Sequence, residues 1–331
     1  MKTSMGKRLM GALTLALAFA AGAGATPLNI VATTSDIADL AKAVAGEHAV
    51  VSSICTGTED PHYLTAKPGF IARARTADLW IAVGLELESA WELPVLNGSR
   101  NRHVQPGTDG YLDLSKSVEL LDVPQGPLSR AMGDVHPGGN PHYWLDPLNG
   151  RRMAEAIAER LARLRPDLAG EFYANLAQFR NALDERMFGA KALQGAKAET
   201  LWKRHARGEE IPNLGGWAAQ LAPRRGQGLV TYHKSWIYFA NRFGLRVVGE
   251  LEPQPGIPPT AAHLAKLVAT MKAEQVDLIL QEPFYSTKAA ERVSAATGAR
   301  VVVAANSVGG RPEATDYLAL LDRIVAELSK E

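Results

Sequence analysis

Short β-branched runs alternate with helical patterns in two separate stretches of this chain, and that alternation leaves few ways to fold it. In the first stretch, residues 28–33, 49–54 and 79–83 have strand composition, while 37–45 and 68–77 carry apolar residues at helical spacing. Ser35 or Asp36 is placed to cap the first of these helices, and Pro68 sits at the start of the second. In the second stretch, strand patterns at 228–232, 246–251, 276–280 and 300–304 are spaced by helical patterns at 234–243, 260–273, 288–297 and 314–330. Parallel strands need long crossovers, and helices supply them. Each stretch therefore predicts a mostly parallel sheet with helices on both faces, an α/β fold in two lobes.

Between the two stretches the pattern is helical. Met153, Ile157, Leu161 and Leu164 mark one run and residues 168–187 another, with a break expected at Pro166. The expected organisation is an N-terminal α/β lobe over 26–147, a linking helical segment over 148–187 and a C-terminal α/β lobe over 188–331. Residues 100–140, rich in Gly, Pro and Asp, read as loop with one short strand. Residues 196–227, with Trp202, Arg204, His205, Arg207, Gly215 and Gly216, fit neither pattern and read as an inserted surface segment.

Residues 1–25 stand apart. Lys2, Lys7 and Arg8 precede an almost wholly apolar run from Leu9 to Ala21, and Ala23-Gly24-Ala25 supplies small residues for cleavage. This is the pattern of a secretory signal peptide; the run is too short for a membrane span. No cysteine lies at the cleavage point, so lipid anchoring there is not expected. The expected location is a bacterial periplasm. Lys and Arg number 36 against 35 Asp and Glu, a near balance that argues against nucleic acid as partner. Cys55 is the single cysteine, which excludes an intrachain disulfide and the cysteine-based zinc modules. The expected state is a monomer.

The chemistry lies in the histidines, of which there are eight. His62 follows the second strand, in Asp60-Pro61-His62-Tyr63. His142 stands before the linking segment, in Asn140-Pro141-His142-Tyr143-Trp144-Leu145-Asp146-Pro147. His233 follows the strand at 228–232. Ligands of open parallel sheets bind beyond the carboxyl ends of the strands. His62 and His233 thus face the groove between the lobes, and His142 lies on the loop that enters the linking segment. Three converging imidazoles make a site for zinc or a related cation. Taken singly, each also reads as a polar residue of a surface turn or a helix start. His136 reads as a flexible-loop histidine capable of transient capture, and His48, His103, His205 and His263 as solvated helix or loop residues.

These motifs resemble those of the periplasmic metal-binding proteins that serve ABC importers of zinc and manganese. Asp60-Pro61-His62-Tyr63 is similar to the first ligand motif of that family, and Pro141-His142-Tyr143-Trp144-Leu145-Asp146-Pro147 to the second. Tyr232-His233-Lys234-Ser235-Trp236 with Phe243-Gly244-Leu245 resembles the third, and Glu282-Pro283-Phe284-Tyr285-Ser286 a fourth block. The resemblance spans nearly all of residues 28–331 apart from 196–227. It implies two lobes joined by one long rigid helix, a metal buried between them, and a membrane permease as partner.

The chain departs from the family pattern at one point. Many members place an aspartate ligand after the last strand; here Asn306 stands in that place, in Ala305-Asn306-Ser307-Val308-Gly309-Gly310. An amide oxygen is a poorer zinc ligand than a carboxylate. The fourth position thus falls to Glu282, at the end of its own strand, to Asn306 or to water. Three imidazoles with at most one carboxylate favour Zn2+ over Mn2+. Two other classes remain open at this stage. One is a secreted zinc hydrolase with Glu59, Asp60 or Glu282 as general base; the other is a carrier of a siderophore or corrinoid. The chain has no His-Glu-x-x-His, no Gly-x-Ser-x-Gly and no phosphate-binding glycine loop, so it is read as a binding protein and not an enzyme.

Overall fold

The computed structural model describes residues 26–126, 135–254 and 256–330, so the expected signal segment lies outside the described residues. The first sheet contains β1 (Leu28–Ala32), β2 (Ala49–Ser53), β3 (Leu79–Ala82) and β4 (Tyr111–Asp113), all parallel, in the order β2-β1-β3-β4. The second contains β5 (Gly228–Thr231), β6 (Arg246–Glu250), β7 (Leu278–Gln281) and β8 (Arg300–Val303), again parallel, in the order β6-β5-β7-β8. The two lobes repeat one winding. In each, the chain steps outward from the first strand and then returns across it, which opens a crevice at the strand carboxyl ends.

Helices α1 (Ser35–Ala45), α2 (Pro68–Thr76) and α3 (Glu92–Ser99) cover the first sheet. The short strand expected within 100–140 is β4; the other described residues of that stretch are largely irregular, with short 3-10 turns. The linking segment keeps the break expected at Pro166. It consists of α4 (Pro147–Leu164) and α5 (Ala169–Phe188), packed on each other. Arg165 between them lies at φ −135°, ψ 76°, outside the helical region, as a residue before proline prefers. Of the two, α5 is the long bridge: it touches α1 of the first lobe and α8 (Gly216–Leu221) of the second.

Residues 196–227 are not a surface segment. After α6 (Ala190–Gly195), they form α7 (Ala198–Arg207) and then α8, with Leu201, Trp202, His205, Trp217 and Leu221 all buried. Leu201, Trp202 and His205 recur at helical spacing on one face of α7, which is why that face turns inward. The indole N–H of Trp202 donates to Asp184 of α5 at 2.7 Å. The second lobe is completed by α9 (Ile237–Phe243), α10 (Ala261–Ala273), α11 (Lys288–Thr297) and α12 (Tyr317–Leu328).

The main hydrophobic core runs unbroken from Ile30 and Ile81 of the first sheet through Trp144, Ile157 and Leu183 to Phe239, Leu280 and Leu321. A satellite cluster sits on the other face of each sheet. The lobes therefore share one packed interior. They also meet at the loop after β8. There Val308 N–H donates to Asp36 at 2.9 Å, Ser35 donates to the Val308 carbonyl at 2.7 Å, and Trp144 Nε1–H donates to the Asn306 carbonyl at 2.7 Å. Gly57, at φ +90°, sits so close to this loop that a Cβ would lie 2.0 Å from the Val308 oxygen. No described helix is long and apolar enough to cross a membrane.

Candidate metal centre

Two of the three expected histidines are set by the same local device. Asp60 precedes a 3-10 turn, Pro61–Tyr63, and its Oδ1 accepts both the His62 backbone N–H at 3.0 Å and the ring Nδ1–H at 2.6 Å. Asn140 repeats this two residues before His142: its Oδ1 accepts the backbone N–H at 2.9 Å and the ring Nδ1–H at 3.0 Å. Short side-chain oxygens reach the backbone two residues on, and proline between them fixes the turn. The Asx-Pro-His spacing thus sets ring direction as well as chain direction. His233 follows β5, and its Nδ1 pairs with Glu252, on the loop after the neighbouring strand β6.

Each ring therefore uses Nδ1 for a fixed acceptor and presents Nε2. The three donor atoms lie within 4.8 Å of one another. Ring centroids are 5.2 Å apart for His62 and His142, 5.5 Å for His62 and His233, and 5.2 Å for His142 and His233. All three residues are buried, at 7%, 3% and 6% exposure. Burial, reinforced by the charges of His233 and His62, holds the His142 ring well below the usual imidazole range, so it stays neutral and able to donate its lone pair. At His233 burial pulls down, but the Glu252 carboxylate outweighs it and raises the ring.

His136 differs from its expectation as a flexible-loop residue. It is buried, and its Nε2 lies 3.2 Å from Nε2 of His62. Residues 127–134, which lead to it, lie outside the described residues. Glu282 follows β7 and is wholly buried, with neither carboxylate oxygen completing a hydrogen bond among the described residues. Burial pushes its carboxyl up to about 7, against the pull of the His233 charge. It stands outside the group of donor atoms that the three rings form. The Asn306 side-chain oxygen is likewise buried and has no hydrogen-bond partner among the described residues. Of the histidines expected to be solvated, His103 is exposed, and His48 and His263 are half-buried, on Glu171 and the Glu250 carbonyl. His205 is buried, with Nε2 on the Arg242 carbonyl at 2.9 Å, because α7 faces the core.

A pocket of about 30 Å³ opens beside the rings, bounded by His136, Asn140, His142, His233 and Lys234. That is room for an ion or a water; sites for organic ligands run to roughly 300–1,000 Å³. Larger cavities lie elsewhere: two of about 820 and 460 Å³ along the linking helices and α7, and one of about 630 Å³ beside Leu28, Asn101 and Asp109.

A family described as zinc-uptake complex component A, periplasmic, matches residues 30–197 and 210–331. The chain belongs to that family. Among its relatives, the high-affinity zinc uptake system protein ZnuA of Yersinia pestis is 25% identical over 253 residues, covering 72% of this chain and 70% of its own. The iron-binding protein YfeA of Yersinia pestis is 26% identical over 315 residues, 92% of this chain and 86% of that protein. A crystal structure of ZnuA aligns with a TM-score of 0.68 at 23% identity, over 92% of this chain and 98% of that one. The family match passes over residues 198–209, the stretch that holds α7.

Sequence reasoning missed Glu252. The signal was available in topology: β6 neighbours β5, so a carboxylate just past the end of β6 falls beside a histidine just past the end of β5.

Proposed function

We propose that this protein is a periplasmic metal carrier that captures a divalent transition ion, zinc before manganese, and delivers it to an ABC-type importer in the membrane. The supporting observation is the convergence of three buried imidazoles, each with Nδ1 engaged and Nε2 turned inward. Imidazole donors suit zinc; manganese prefers more oxygen. His62, His142 and His233 serve as ligands. Glu282 is the fourth ligand in this reading: its wholly buried carboxyl lies past the end of β7, and it would give up its proton on binding the cation. The family and the zinc uptake protein among its relatives support delivery to an importer, and the N-terminal segment supports export.

Elemental analysis of protein purified without added metal tests the cargo. We expect one zinc per chain, bound tightly enough to survive gel filtration. His142→Ala is expected to weaken zinc by more than the roughly 10–100-fold typical of changes around a ligand, measured by chelator competition. Stoichiometric zinc retained by His142→Ala at wild-type affinity would overturn the site.

A further inference from the structure

Asp60 has two carboxylate oxygens, and both are committed. Oδ1 holds His62 through its backbone N–H and ring Nδ1. Oδ2 accepts from the hydroxyl of Tyr285 at 2.8 Å. Tyr285 belongs to the other lobe, on the loop after β7. The second lobe fixes it firmly: its ring stacks on Tyr232 at 4.2 Å with planes 11° apart, and its carbonyl accepts from Gln281 at 3.2 Å. A rigid hydroxyl in one lobe thus orients the carboxylate that orients a ring in the other. The remaining cross-lobe bonds described above, at Val308 and Asn306, reach Ser35, Asp36 and Trp144 instead.

We propose that Tyr285 is a positioning residue for the metal: from the second lobe it holds the Asp60–His62 pair, so that retention of the ion depends on the Tyr285–Asp60 contact. The inference rests on the metal-carrier reading. When that contact breaks, Asp60 loses its outer donor and its carboxyl group is free to turn. The His62 ring then loses its fixed direction, and the ion leaves. Changing a metal ligand's outer partner commonly costs about 10–100-fold in affinity; Asp60 is that partner of His62, and Tyr285 acts on the ion through it.

Tyr285→Phe removes the hydroxyl and keeps the stack on Tyr232. Zinc-loaded wild type and variant are mixed with excess chelator, and the dissociation rate is followed. We expect dissociation to rise roughly tenfold, with the association rate and the melting temperature of the metal-free protein unchanged. A merely structural residue would move the melting temperature instead. In an Asp60→Ala background, where the relay is already cut, Tyr285→Phe is expected to add nothing, since effects through a shared partner are not additive. Wild-type dissociation in Tyr285→Phe, or its full effect persisting beside Asp60→Ala, overturns the proposal while leaving the carrier reading intact. A wild-type protein that takes up neither zinc nor manganese would instead remove the carrier reading, and this inference with it.

Discussion

An Asx residue two positions before a histidine does two jobs at this centre. It closes the turn through the backbone N–H and aims the ring through Nδ1. The sequence pointed to His62 and His142 through their places after a strand and before the linking segment and through their motifs; the turn that aims the rings is local, but the sequence alone did not show it. Glu252 was harder to see because its partner lies nineteen residues away, across a strand pairing. Glu282 was legible as a carboxylate at the sheet rim, but whether it ligates depends on distances that spacing does not encode. Glu282→Gln separates its two effects. If Glu282 ligates, zinc affinity falls more than about 100-fold in chelator competition, around 2.7 kcal/mol. The same change removes a buried ionisable group, so the metal-free variant is expected to melt higher than wild type above pH 7, the value to which burial has pushed the carboxyl. Undiminished zinc affinity in this variant rules out direct ligation.

At the level of elements, the strands were read within a residue or two, because β-branched runs bounded by turn residues are strong signals. The linking segment was also readable, since Pro166 marks its break. The helix α7 was not. Residues 196–227 fitted neither lobe's alternation and read as a surface insert, yet in α7 Lys203 and Arg207 are exposed while Leu201, Trp202 and His205 turn inward. Trp202 binds Asp184 of α5, and the Arg242 guanidinium of α9 lies 5.6 Å from its ring centre. Helix α7 thus ties the linking segment to the helix that follows His233. Trp202→Ala is expected to cost about 3–5 kcal/mol of stability, the range for deleting a buried aromatic side chain, measured by urea unfolding. A loss below about 0.5 kcal/mol would restore the surface reading. Zinc affinity is expected to stay near wild type, because none of the three rings contacts α7.

Across the whole molecule, buried acids and the metal site give opposite responses to pH. Burial pushes Asp36 and Glu282 up to about 7 and Glu88 up to about 8. Each keeps a proton in the folded chain that it would release near its ordinary carboxylate value when unfolded. The folded chain therefore binds more protons than the unfolded one, and stability falls as pH rises through this window. His233, raised by Glu252 against its burial, acts in the same direction: its contribution is complete below about pH 6.5 and is lost above it. His142 and His205, held down chiefly by burial, oppose this trend only below about pH 6.5, where their unfolded forms take up protons. Between pH 6.5 and 8 these groups pull together, and the melting temperature of the metal-free protein is expected to drop. Zinc reverses the balance. Its ligands must be unprotonated, so affinity climbs over the same interval, and a ligand that binds only the folded chain stabilises it more as its dissociation constant falls. Calorimetric melts of metal-free and zinc-loaded protein at pH 6.5 and 8 should therefore diverge with rising pH. A metal-free melting temperature that rises would mean the buried acids are not protonated in the fold. A gap that fails to widen would count against imidazole ligation itself.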